Sequence, residues 1–145
     1  MGESNDPVTV LSEDESWERL AGHELGRLVT RVGDVVDIFP VNYVVDDRTI
    51  LFRTAEGSKL LELTVNDEVL FEVDDHTDTD AWSVIVRGSA HRLQTLAEVE
   101  AADALPLRPW IPTLKYNFVR IDPVTMSGRA FLREPEPERG GVADY

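Results

Sequence analysis

The chain has 145 residues, 42% of them hydrophobic, with 28 Asp+Glu against 14 Lys+Arg, a formal net charge of −14 and no cysteine. The lack of cysteine excludes disulfides, cysteine-held zinc, iron–sulfur clusters and thiol nucleophiles, and the acidic balance argues against nucleic acid and membrane as partners. With no apolar run long enough for a membrane span and no signal-like N-terminus, the expectation is one cytoplasmic domain.

In chain order, residues 1–11 read as a flexible N-terminal arm containing one short VTV, and the folded domain as 12–132. Ser12-x-x-Glu15 forms a capping box, which opens a helix over 13–22 with Trp17, Leu20 and Ala21 as its apolar stripe and Gly22 as its stop. From Gly26 the pattern turns strand-like. Arg27–Arg31, Val35–Val45 and Thr49–Thr54 are joined by Val32-Gly33-Asp34 and Asp46-Asp47 turns, an antiparallel meander. Pro40 lacks a ladder donor and marks an edge or bulge in its strand.

Ala55–Ser58 breaks the alternation, and Lys59–Val65 predicts a two-turn helix ending at Asn66. Glu68–Asp74 alternates, with Val69, Phe71 and Val73 on one face. Asp75–Asp80 reads as a polar loop and Ala81–Leu93 as a long strand, with Gly88 a bulge or close-approach point. Thr95-x-x-Glu98 opens a short helix to about Leu105, and the two prolines of Leu107–Leu114 exclude regular structure. Tyr116–Asp122 and Met126–Leu132 are the last strands, before a disordered acidic tail at 133–145. Six to seven antiparallel strands with a few short helices indicate a mainly β fold, a small barrel or sandwich.

Chemistry concentrates between Pro40 and Lys59. Arg53-Thr54-x-x-Gly57-Ser58-Lys59 puts two cations and two hydroxyls at a helix start, where free N–H groups and the dipole favour an anion. That set suits one phosphate. The plainer alternative makes Ser58 an N-cap, Thr54 a strand residue and Arg53 an exposed strand charge. No GxxxxGK[ST] and no GxGxxG is present, so neither a P-loop nor a dinucleotide fingerprint is indicated. His23, His76 and His91 are scattered and predict no metal site; Asp75–Asp80 reads as a solvated loop instead. No GxSxG marks a nucleophile. Tyr43, Tyr116 and Trp110 read as packing or interface residues, and no catalytic residue is indicated.

The order of GRLVT (26–30), PVNY (40–43), ILFRTAEGSKL (50–60), WSVIVRGSA (82–90) and SGR (127–129) resembles the pyridoxamine 5′-phosphate oxidase-like flavoproteins. It is most similar to their actinobacterial and nitroimidazole-reductase-like branch. The resemblance covers about residues 12–132. It implies a split β-barrel and a homodimer with FMN held at the subunit interface. The flavin ring would lie along Pro40, Val41, Asn42 and Tyr43, meeting backbone groups. Arg53, Thr54, Ser58 and Lys59 would meet its phosphate, and Trp82 and Ser83 would lie near the cofactor or the dimer seam. The implied activity is a flavin-dependent oxidoreductase acting on a small-molecule substrate or electron donor. An F420-dependent reductase and a non-enzymatic flavin- or haem-binding module are the alternatives. The fuller Arg and Lys phosphate set of the true oxidase is missing, as is its C-terminal Arg/His pattern, so oxidation of pyridoxamine phosphate itself is not implied.

Overall fold

A run of β-branched and aromatic residues with alternating burial makes strands, and here seven of them pair antiparallel. A computed structural model of the chain describes residues 8–55, 57–107 and 117–133, the side chains of residues 58–61 lying outside that description. The elements are β1 Val8–Leu11, α1 Glu13–Ala21, β2 Leu25–Val32, β3 Val35–Asp46, β4 Thr49–Thr54, α2 Ser58–Val65, β5 Glu68–His76, β6 Asp80–Arg92, α3 Leu96–Asp103 and β7 Asn117–Leu132. The sheet order is β1-β7-β4-β3-β2-β5-β6, and β6 pairs back onto β7, closing the sheet into a barrel. The expected mainly β split barrel is what forms. Among the described residues, no helix is long and apolar enough to cross a membrane.

Three sequence expectations change. Val8–Leu11 is no flexible arm: it pairs with Phe131–Gly128 on β7. It takes the β7 edge that β4 leaves free beyond Ile121. The two strands expected at the end of the domain are one, because Pro123 and Val124 are absorbed where the β6–β7 register shifts between Arg87 and Gly88. A proline at a bulge forfeits no ladder bond. Gly88 is there for close approach, since a Cβ would meet the Asp122 carbonyl and sit 2.9 Å from Ile121 Cγ2. The expected polar loop is also shorter: β5 runs to His76, and Thr77 Oγ1 donates to Asp80 Oδ1 (2.8 Å) across a tight turn. The expected prolyl segment and tail, with Trp110 and Tyr116, lie mostly outside the described residues.

Hairpin turns set the register of the meander. Gly33 adopts φ 59°, and in the next turn Asp47 and Arg48 adopt φ 48° and 56°, the paired left-handed conformation that suits the strand twist. Arg48 is a costly residue there, and it is tied to Asp14 and, at 3.9 Å, to Glu13 on α1. α1 starts as the sequence indicates: Ser12 Oγ accepts from Glu15 N (3.1 Å) and Ser12 N donates to Glu15 Oε1 (2.9 Å).

Leu28, Ile50, Phe52, Phe71, Val84, Val86 and Ile121 fill the barrel with no exposed surface. Trp17 and Leu20 of α1 close one end over Tyr43 and Trp82; Leu63 of α2 joins the core at the other. α3 packs outside, where Ala102 meets Leu51, Leu93 and Phe118. The outward-facing Leu25, Val36, Ile38 and Ile85 on β2, β3 and β6 stay exposed.

Candidate functional site

The alternation of β3 decides what each of its candidate residues presents. Val41 and Tyr43 point into the barrel and are buried, whereas Pro40 is exposed and Asn42 half-buried on the outer face. Tyr43 is committed to the core. Its hydroxyl donates to the Leu20 carbonyl at 2.6 Å, its ring stands edge-on to Phe71 at 4.9 Å, and burial pushes its phenol pKa up. What this stretch offers a ligand is backbone. The β3–β4 ladder ends at Tyr43↔Phe52, whereas β2 pairs β3 from Val35 to Asn42. Residues 35–42 therefore have a strand on one edge only among the described residues. Pro40 sits there, opposite Arg27, where a missing N–H is tolerated.

β4 runs on past that fork and carries Arg53 and Thr54 beside the open edge. They face opposite ways. Arg53 is half-buried on the outer side with its guanidinium carbon 5.1 Å from the Phe118 ring centroid. Thr54 is buried on the inner side, its Oγ1 donating to the Ala55 carbonyl at 3.1 Å. α2 begins at Ser58 with Gly57 as its N-cap and no side-chain cap bond, so Ser58 is not the cap. The side chains of Ser58 and Lys59 lie outside the described residues. The fork, Arg53, Thr54 and the start of α2 are thus contiguous.

Trp82 and Ser83 are not. Trp82 lies inside, packed 4.8 Å from the His23 ring with the Arg19 guanidinium 5.5 Å from its centroid. Along β7 it pairs with Ala130, while Arg53 pairs with Phe118 near the other end. Ser83 points outward between Asp74 and Arg129.

One charged cluster escaped sequence reading. Arg27 Nη1 reaches Glu72 Oε1 at 2.8 Å and Asp74 Oδ2 at 3.0 Å on the outer face. Burial and the neighbouring Asp74 push Glu72 up to about 7, against the pull of Arg27. The alternation of Glu68–Asp74 already places the two acids on one face, but only the β2–β5 pairing supplies the arginine. At the α2 end, Glu62 accepts from Thr30 Oγ1 at 2.6 Å, and a hydrogen bond with Asp37 raises its pKa. The histidines are occupied separately: His23 binds Asp75 at 3.0 Å and His91 binds Asp122 at 3.1 Å. Among the described residues no three His, Asp or Glu side chains gather as a metal site would need.

The sequence model of the pyridoxamine 5′-phosphate oxidase family matches residues 12–130. The chain belongs to that family. Within it, a Corynebacterium glutamicum structure named for pyridoxamine 5′-phosphate oxidase is 50% identical, covering 92% of this chain and 100% of its own with a TM-score of 0.85. A structure named as the FAD binding protein of Mycobacterium smegmatis is 45% identical over 86% of this chain and 98% of its own, TM-score 0.75. An uncharacterised Mycobacterium tuberculosis protein is 47% identical over 66% of this chain and 87% of its own.

Proposed function

We propose that this member of the pyridoxamine 5′-phosphate oxidase family is a flavin-dependent oxidoreductase that binds FMN between two copies of the chain. The observation that carries the reading is the fork where the β3–β4 ladder stops at Tyr43↔Phe52. Among the described residues no strand pairs with this edge of β3 before Tyr43, which leaves room for the polar rim of a planar ring beside the strand. Arg53 and the uncapped first turn of α2 stand beside it as a phosphate cradle, while Thr54 turns inward. The residues present fit a flavin phosphate: the Arg53 cation and the backbone N–H groups of a helix start without a side-chain cap, with Ser58 and Lys59 in sequence at the same turn. The FAD binding name of the Mycobacterium smegmatis relative supports a flavin of some kind.

A second copy is supported by two features. Leu25, Val36, Ile38 and Ile85 expose an apolar outer face, and Ser83 lies too far from the cradle to join it within one chain. Bound flavin would supply two-electron transfer chemistry. The chain would orient the ring along β3, hold its phosphate at α2 and keep water from the covered face.

The test is a titration of purified protein with FMN, F420 and haem separately, followed by absorbance, with the mass in solution measured alongside. Saturable FMN binding by a dimer and turnover of the bound flavin by a reduced nicotinamide support the reading. F420 or haem binding instead replaces the cofactor; tight flavin binding without turnover makes the protein a carrier.

A further inference from the structure

The outer face of β2, β3, β5 and β6 differs in charge from the chain as a whole. Strand alternation turns Arg27, Arg31, Glu68, Glu72, Asp74 and Arg87 outward, three cations against three acids, in a chain with twice as many acids as cations. Between Val36 and Asn42, β3 adds only Val36, Ile38, Pro40 and Asn42 to that face. Leu25, Ile38 and Ile85 stand exposed among the charges. Two copies of charge −14 repel each other over most of their surface, and this is a face on which they can meet without opposing acid to acid. A cleft of about 670 Å3 beside Val29, Val36 and Leu70 leaves room for side chains of a partner. The occupant this face fits is a second copy of the chain.

Within the face, one group of three is out of balance. Arg27 Nη1 donates to both Glu72 Oε1 (2.8 Å) and Asp74 Oδ2 (3.0 Å), so two carboxylates share one guanidinium nitrogen and one negative charge is left over. Register fixes the surroundings of Glu72. Arg27 lies opposite on β2, Asp74 two residues on along β5, Ile85 opposite on β6, and Arg87 diagonally beyond it beside Leu70. Glu72 is the most covered of the three, its side chain 24% exposed against 49% for Arg27 and 46% for Asp74. Burial and Asp74 already hold it up at about 7 in one copy. A second copy laid over the face would strip water from both clusters at once, and a group of net negative charge then favours its neutral, protonated form. Protonated Glu72 can donate to Asp74 while its other oxygen accepts from Arg27, leaving the group with no net charge.

Resting on the two-copy reading above, we propose that this face joins the two copies and that each takes up a proton at Glu72 as it docks, so that the assembly tightens on acidification. Below about 7 the proton is already in place; as pH rises it must be drawn from solution, and the assembly weakens.

The experiment is sedimentation equilibrium in excess FMN from pH 6 to 9, for the native chain, Glu72→Gln and Ile38→Glu. The native dissociation constant should rise at least about tenfold across that range. Glu72→Gln, neutral at every pH, should stay within about threefold of the native value at pH 6 throughout. The same variant separates Glu72 from the flavin phosphate, whose second ionisation lies at about 6. Ile38→Glu, at an exposed position, should keep the native melting curve and be monomeric. A native dimer whose dissociation constant does not change with pH overturns the proposal and leaves the two-copy reading standing. So does a Glu72→Gln chain with the native pH dependence, and an Ile38→Glu chain that dimerises like the native one places the contact elsewhere. A native chain that stays monomeric at every pH overturns both readings.

Discussion

The two ends of the barrel are closed by helices of nearly equal length and opposite character. At the α1 end the packing is tight: Leu20 has no exposed surface, Trp17 and Trp82 are buried, and Tyr43 spends its hydroxyl on a helix carbonyl. A Cβ on Gly128 would meet Ser16 Oγ and lie 3.0 Å from Leu11 Cβ, so strand and helix touch at backbone distance. At the α2 end, Leu63 enters the core, but Asp67, Arg92 and Gln94 border an open cleft and, among the described residues, β3 pairs with a strand on one edge only before Tyr43. One helix is a plug and the other borders the proposed site. The lesson is that the same small barrel keeps its tightest packing and its proposed binding chemistry at separate ends.

That contrast predicts a graded set of effects. Leu20→Ala should cost the most, about 2–5 kcal/mol, because the side chain is fully buried and the cavity cannot collapse against the strands. Urea unfolding measures it, and a cost under about 1 kcal/mol would show that α1 is not the plug. Ser58→Ala with Lys59→Ala should weaken FMN about tenfold or more and move unfolding by less than about 0.5 kcal/mol. Unchanged affinity in the double variant removes the phosphate cradle. Tyr43→Phe should cost about 1 kcal/mol through the lost Leu20 bond and leave FMN affinity as it was, since the hydroxyl is spent inside the barrel on the Leu20 carbonyl. A flavin affinity that falls with Tyr43→Phe would join the two ends after all.

The smallest effect is the pH dependence of the outer face. The Glu72 carboxyl is raised in the folded chain, so its proton binds the folded state more tightly than the unfolded one. Its contribution is full below the ordinary carboxylate range and is lost as pH rises through about 7. Glu72→Gln should therefore gain on the native protein in unfolding free energy between pH 5 and 8. A difference that does not change with pH contradicts the protonated cluster with Arg27 and Asp74.

Legibility followed the range of each interaction. The Ser12–Glu15 box, the Thr95 cap that accepts from Glu98 N, and the end of α2 before Asn66 all depend on residues within four positions, and all stand as expected. The Asp46–Thr49 turn was likewise readable. Val8–Leu11 was not, because a four-residue strand with Val8 and Val10 exposed carries little pattern until β7 gives it a partner. The break expected at Pro123 failed for the converse reason: a bulge opposite Gly88 lets β7 continue. In the candidate site the structure places Arg53, Thr54 and the start of α2 next to the Pro40–Tyr43 stretch. Their faces were not assigned, and Arg27 and Glu72 were passed over because nothing nearby in the chain marks them.

Composition, periodicity and capping residues by themselves determined a cysteine-free, acidic, mainly β domain with its helices and most of its strands, since each of those depends on neighbours along the chain. The ordered motifs pointed to the family. Tertiary structure alone decided that β6 returns to β7 to close the ring, that the β3–β4 ladder stops at Tyr43↔Phe52, and that Tyr43 and Trp82 turn inward. Those outcomes depend on pairing between residues dozens of positions apart. A strand's alternation says which residues share a face, but only its partners say whether that face meets core, solvent or ligand.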